Sequence, residues 1–396
     1  VTRIQIILLS ASLFFYAFWN PFYLIFILFS VYVTWQSALL MEKMPQNKKL
    51  ILVISLVLNL AILFFFKYFN FFAGLVNRIS VFAGIKAVIP QFSVLLPVGI
   101  SFYTFQALGY SIDVYKGSVK AEKSILAYAL FVTFFPQLVA GPIERTENLL
   151  PQFKEVHKFD YDRVVEGLLL ATWGMFKKVF IADRLAFYVN MIYGNLLDST
   201  GVALLTATVF FAFQIFCDFS GYSDIAIGIA KVLGFNLMRN FDHPYFSKSI
   251  AEFWRRWHIS LSTWFRDYVY FPLGGSRCSK LRTYTNIMIV MTLSGLWHGA
   301  GWNFIAWGML HGVLQIVDRI TIKFQEKVPE ILRRFYTFFW IAIGWCFFRA
   351  WSIGSAVHAI KKMLMTIIAP QNLNLSWAWG YYTNDIRFVW LFILLL

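Results

Sequence analysis

Apolar residues in this chain come in long blocks. The blocks show neither the strict alternation of half-buried strands nor the turn spacing of a barrel. They occupy roughly 4–41, 50–77, 93–113, 124–143, 164–197, 201–234, 284–301, 302–322, 333–351 and 386–396. Most lie near the ~20 residues that one helix needs to cross a bilayer. The first block is too long for one span. Asn20-Pro21 is expected to divide it, because proline removes a backbone donor and clashes with the preceding turn. The pattern predicts an all-α, polytopic integral membrane protein of about ten or eleven transmembrane or re-entrant helices. No fixed-period repeat, low-complexity tract or long linker divides it, so one membrane domain is expected over residues 1–396. The chain starts at Val1 and ends inside an apolar block, so both termini read as incomplete. The first block also exceeds the hydrophobic part of a signal peptide.

Three stretches depart from the apolar pattern. Residues 240–283 carry Lys248, Arg255, Arg256, Arg266, Arg277, Lys280 and Arg282 against only Asp242, Glu252 and Asp267. Within them Trp254, Trp257, His258, Leu261, Trp264 and Phe265 follow a helical rhythm, which predicts one helix with these six on one face. Such a helix would lie in the membrane interface or dip partway in, ending at Pro272 and Gly274-Gly275. Cys217-Asp218-Phe219-Ser220-Gly221-Tyr222-Ser223-Asp224 sets two carboxylates in an apolar block. Pro97-Val98-Gly99-Ile100-Ser101-Phe102 reads as a helix break whose backbone groups need burial in protein or a cavity.

Composition sharpens the class. The 396 residues are 59% hydrophobic and 14% charged, well below the ~25% charged residues of soluble domains. The net charge of +15 sits mostly in short segments between apolar blocks, such as Lys43, Lys48 and Lys49, or Lys116, Lys120 and Lys123. That arrangement suits loops facing anionic lipid at the cytoplasmic side. No basic patch lies outside the hydrophobic matrix, which argues against nucleic acid as a partner. Cys217, Cys278 and Cys346 are far apart with no CxxC pair, so neither a zinc ribbon nor a thioredoxin-like site is expected. Cys217 and Cys346 read as small core residues.

Candidate chemistry centres on histidine. His298 stands in Gly295-Leu296-Trp297-His298-Gly299-Ala300-Gly301-Trp302-Asn303, deep in an apolar region. A titratable side chain at bilayer depth is costly and so a functional candidate, and imidazole suits proton transfer near neutral pH. The glycines are expected to leave room for a substrate or acyl chain. His258 stands among tryptophans and reads as a second functional position or as an interfacial packing residue. His311, in another apolar block, reads first as packing; His157, His243 and His358 lie in polar segments. Asp218 and Asp224, with His311 as a third candidate member, are expected to form a polar network, by pairing with a buried arginine or as a proton relay. Arg255 and Arg256 suit either the phosphates of a CoA-type donor or lipid headgroups. Trp297, Trp302 and Asn303 join them as donor-side candidates, with the two tryptophans and the glycines lining a narrow channel. His298 and His311 lie thirteen apart without an HExxH or a carboxylate ligand pair, so no metal site is expected. Neither a Walker A loop nor a GxSxG elbow is present.

Five ordered motifs resemble the membrane-bound O-acyltransferase (MBOAT) family, and within it the alginate O-acetylase-like branch. They are Pro97–Phe102, Gly141-Pro142-Ile143-Glu144-Arg145, Asp218–Asp224, Trp254–Asp267 and Trp297-His298-Gly299. The resemblance covers residues 95 to 322 or so and implies His298 as general base on an acceptor hydroxyl, with His258 also at the active centre. It implies acetyl-CoA as acyl donor with no bound cofactor, and an extracytoplasmic partner acetyltransferase of the SGNH-hydrolase type. It implies a bacterial inner-membrane location and O-acetylation of a cell-envelope polysaccharide, peptidoglycan or an exopolysaccharide such as alginate or cellulose. The rival reading is a transporter or flippase of an envelope precursor without acyl chemistry, which would also explain broken helices and buried aspartates.

Overall fold

The computed structural model describes residues 1–85 and 89–369; the apolar segment expected at 386–396 lies outside the described residues. Among the described residues the regular structure is helical throughout, in seventeen α-helices with short 3-10 and π turns. The chain divides into two compact units, Val1–Leu169 with Ala226–Arg239, and Leu170–Ile225 with the described residues from Asn240 onwards.

The first unit holds α1 (Thr2–Ala17), α2 (Leu24–Lys43), α3 (Lys48–Leu63), α4 (Phe69–Phe82), α5 (Ile100–Lys116), α6 (Ile125–Thr133), α7 (Phe135–Leu138) and α8 (Thr146–Gln152). The break at Asn20-Pro21 is present: Asn20 accepts from the Phe22 amide and caps a 3-10 turn between α1 and α2. α2, α3 and α5 pack on one another, and α1 packs on α6. Several polar groups inside this bundle are paired, as when Ser30 donates to Asn59 at 2.5 Å and Thr34 meets the Tyr128 hydroxyl at 2.7 Å. The break before α5 depends on Gly99, whose φ of 71° is left-handed and whose missing Cβ would sit 2.5 Å from the Leu138 carbonyl oxygen. Many large apolar side chains of α1 to α4 point outward, Ile7, Phe14 and Ile25 among them, as lipid-facing helices require.

The boundary between the units falls within α9 (Tyr161–Met175) and α11 (Gly201–Val232). The second unit continues through a π-helical stretch at Phe176–Ala182, α10 (Asp183–Gly194) and the long α11. It then runs through α12 (Ile250–Arg256), α13 (Ile259–Phe265), α14 (Lys280–His298), α15 (Trp302–Gln325), α16 (Glu330–Arg349) and α17 (Ile353–Ile368). Its core is aromatic and includes the fully buried Trp307, Trp345, Phe210 and Phe253, with Cys217 and Cys346 as buried fillers. Among the described residues, four stretches are long and apolar enough to cross a membrane: Pro21–Lys43, Pro45–Phe82, Gly201–Val232 and Glu330–Arg349. The protein is thus an all-α, multi-pass membrane protein. The remaining apolar blocks among the described residues appear as shorter or more polar helices, such as α1, α5, α6, α14 and α15.

Candidate active site

The single helix expected across Trp254–Phe265 is instead two short helices joined at an elbow. His258 forms the elbow, with φ 44° and ψ 55° in the left-handed region. An L-residue there costs about 1–2 kcal/mol. Two backbone hydrogen bonds hold it, from the Asp242 amide to the Arg256 carbonyl and from the Ile259 amide to the Asn240 carbonyl, both 2.9 Å. Periodicity could not reveal this, because the pairing comes from a loop well upstream in sequence. The six residues expected on one face are nevertheless all buried. The N-terminus of α12 is capped twice. Ser249 accepts from the Glu252 amide, and the buried Asp318 carboxylate of α15 accepts from the Ile250 and Ala251 amides at 2.6 and 3.3 Å.

His258 is 1% exposed. Its ring packs edge-on to Phe219 at 4.6 Å and lies 5.9 Å from Trp297. Burial, and secondarily the neighbouring His298, push its pKa well below the ordinary imidazole value, so the ring is neutral. His298 closes α14 and is half-buried. Aromatic rings link the histidines: Trp297 to His298 at 5.0 Å, His298 to Trp307 at 5.1 Å, Trp307 to His311 at 4.9 Å, and His311 to Trp254 at 5.2 Å. His311 is thus a packed core residue on α15, as its apolar block suggested.

The glycines around His298 serve a different purpose from the one expected. α14 and α15 form a close hairpin, and a Cβ at Gly295 would collide with the Phe304 carbonyl oxygen. One at Gly299 would collide with the Phe304 ring. The space belongs to the neighbouring helix and not to a substrate. It places His298 at the tip of a closely packed helix pair.

A cavity of about 510 Å³ opens beside this elbow, within the range of small-molecule sites. Its interior is lined by Ile259, Phe265, Ile287, Val290 and Met291, with Ser262, Thr263 and Ser294 as polar points. The exposed Arg255, Arg266 and Arg319 stand on its wall. Neither His258 nor His298 lines it; the link is through the chain, since the lining residue Ile259 follows His258, and the lining residue Ser294 lies four residues before His298, on the same face of α14. The donor-side candidates separate here. Arg255 lines the cavity, whereas Arg256 is held by Glu252 at 2.7 Å. Trp297 is buried between the two histidine rings. Asn303 donates to the Phe347 and Ala350 carbonyls at the end of α16, and half-exposed Trp302 begins α15; none of these three lines the cavity.

Asp218 and Asp224 enter a polar network with lysines in place of the expected arginine, whereas His311 packs against Trp254 and Trp307 and takes no part in these ion pairs. Lys177 meets Asp224 at 2.7 Å and Ser220 at 2.9 Å; Lys178 meets Asp218 at 2.7 Å and Asp183 at 2.8 Å. The π-helical stretch at Phe176–Ala182 presents these consecutive lysines to α11. The adjacent lysines inside the apolar block 164–197 were a signal for this pairing. Asn240, Asp318 and Arg319 gave none: each draws its role from a partner distant in sequence.

The sequence pattern of MBOAT, the membrane-bound O-acyltransferase family, matches residues 11–357. A protein described as probable alginate O-acetylase AlgI of Azotobacter vinelandii is 41% identical over 363 residues, covering 91% of this chain and 72% of that protein. A peptidoglycan O-acetyltransferase of Helicobacter pylori is 38% identical over 389 residues, covering 90% and 73%. A teichoic acid D-alanyltransferase of Bacillus subtilis is 30% identical over 285 residues, covering 65% and 70%. With its paired histidines, helical architecture and membrane-crossing segments, the chain belongs to the membrane-bound O-acyltransferase family and is a multi-pass membrane O-acyltransferase.

Proposed function

We propose that this enzyme takes an acetyl group from acetyl-CoA at the arginine-rimmed cavity and passes it to a hydroxyl, as the membrane step in O-acetylating a cell-envelope polysaccharide. The observation that carries the reading is the cavity itself. Three guanidinium groups suit phosphates, an apolar interior suits the thioester arm, and its walls come from the elements that hold His258 and His298. In this reading His298 takes the proton of the acceptor hydroxyl as its oxygen attacks the thioester carbonyl. A C–O bond forms, the C–S bond breaks, and the leaving thiolate receives the proton from the imidazolium. General-base help of this kind is worth about 10²–10⁴-fold.

The polysaccharide lies outside a bacterial inner membrane and the donor inside, so the acetyl group leaves to an extracytoplasmic partner of the SGNH type, which completes transfer. Peptidoglycan and alginate are the acceptor polymers that the names of the relatives support. The test is reconstitution with labelled acetyl-CoA. His298→Ala is expected to insert normally and lose acetyl-CoA turnover, and the unaltered chain is expected to acetylate polymer only when the partner is added. Undiminished turnover by His298→Ala refutes the base assignment. Efficient polymer acetylation by the chain alone refutes the relay.

A further inference from the structure

Asn240 lies in the loop that pairs with the elbow and is 1% exposed. Its amide orientation follows from its neighbours. The Ser260 backbone amide, which can only donate, points at one terminal atom at 3.2 Å, so that atom is Oδ1. The other, Nδ2, donates to Ser223 of α11 at 3.2 Å. The same Oδ1 accepts from the Ser260 hydroxyl at 3.0 Å and lies 3.2 Å from Nδ1 of His258. A carbonyl oxygen cannot donate, so Nδ1 of His258 carries the hydrogen. Neutral imidazole has one N–H, which leaves the lone pair on Nε2. The Ser260 hydroxyl oxygen, 3.4 Å from Nδ1, reinforces this tautomer. The Asn240 carbonyl also accepts from the Ile259 amide, so one residue sets both the left-handed backbone of His258 and the proton on its ring.

We propose that Asn240 is a positioning residue that fixes His258 with its proton on Nδ1, so that Nε2 presents only a lone pair to the site and does not polarise the acyl carbonyl. This rests on the reading of His258 as part of the acyl-transfer site, and it excludes His258 as the group that polarises the acyl carbonyl. A neutral imidazole whose N–H is committed to Asn240 has no donor left for a carbonyl oxygen. Ser223 and Ser260, both buried, then serve to hold the amide against rotation.

The test compares acetyl-CoA turnover in proteoliposomes. Asn240→Leu is expected to lower kcat about tenfold or more with the donor KM little changed, as wrong-tautomer variants of other enzymes do. Asn240→Asp keeps an accepting oxygen, so most activity should remain. Its negative charge favours the imidazolium, so the acid limb of the pH profile should move upward by about one unit. Solid-state nitrogen NMR of the unaltered protein with isotope-labelled histidine should show His258 protonated at Nδ1, whether or not the variants fold. Full activity in Asn240→Leu, or an unprotonated Nδ1, overturns the proposal. His258→Ala separates the two levels: if it is fully active, the place of His258 in the site falls; if it is inactive while Asn240→Leu is active, only the tautomer lock falls.

Discussion

Replacing Arg255 by Gln should raise the KM for acetyl-CoA more than any other single change on the cavity rim. Each rim arginine has a different prior commitment. Arg266 is held by Asp267 through two contacts of 2.7 and 3.3 Å, and Arg319 donates to Ser276 at 3.2 Å. Among the described residues no carboxylate pairs with Arg255, so its guanidinium meets a phosphate without surrendering a partner. A charge-assisted hydrogen bond contributes about 1.5–3 kcal/mol, which exposure reduces to about 1–2. That corresponds to a KM about five- to thirtyfold higher with kcat nearly unchanged. Arg256→Gln should change KM less than twofold, because Arg256 is engaged with Glu252 and does not line the cavity. The assay is turnover of labelled acetyl-CoA in proteoliposomes at low and high salt, repeated with S-acetyl-pantetheine, which lacks the phosphates. The Arg255 effect should shrink as salt rises and vanish with the phosphate-free donor. An equal loss with both donors, or a larger effect at Arg256 than at Arg255, refutes phosphate binding at this rim.

Three further outcomes follow from buried polar groups. Asp318→Ala strips the Ile250 and Ala251 amides of their acceptor and should cost about 2–4 kcal/mol, read as a lower unfolding temperature in detergent, while Asp318→Asn should cost less. Lys177→Met leaves Asp224 unpaired and should destabilise by roughly 2–4 kcal/mol, with Lys177→Met/Asp224→Leu recovering much of the loss. In the first unit, burial raises the Glu144 carboxyl to about 7 although it accepts from the Met238 amide and Asn148. The folded state therefore binds this proton more tightly than the unfolded state. The stability it lends is full below the ordinary carboxylate range and is lost as pH rises through about 7, a change of at most about 3 kcal/mol. Glu144→Gln should flatten that part of a stability–pH curve, and an unchanged curve would contradict the burial of this group.

The sequence by itself determined the fold class and the resemblance to the acyltransferase family. Apolar block lengths are set by bilayer thickness, a local constraint, so the multi-pass helical fold and the break at Asn20-Pro21 could be read directly. Trp297-His298-Gly299 and the Trp254–Asp267 stretch likewise carried the acyltransferase reading, because both motifs are contiguous. Tertiary structure decided what depends on residues distant in sequence. The helix expected through His258 breaks because Asn240 and Asp242 pair with its backbone, and no periodicity within 254–265 records that competitor. The glycines near His298 are filled by Phe304 because α14 and α15 fold back on each other. Arg319, more than fifty residues beyond Arg255, reaches the same cavity, while Arg256, adjacent in sequence to Arg255, is turned to Glu252 by the helical rotation between neighbours. A histidine's identity is local, but the proton on its ring depends on which distant amide faces it.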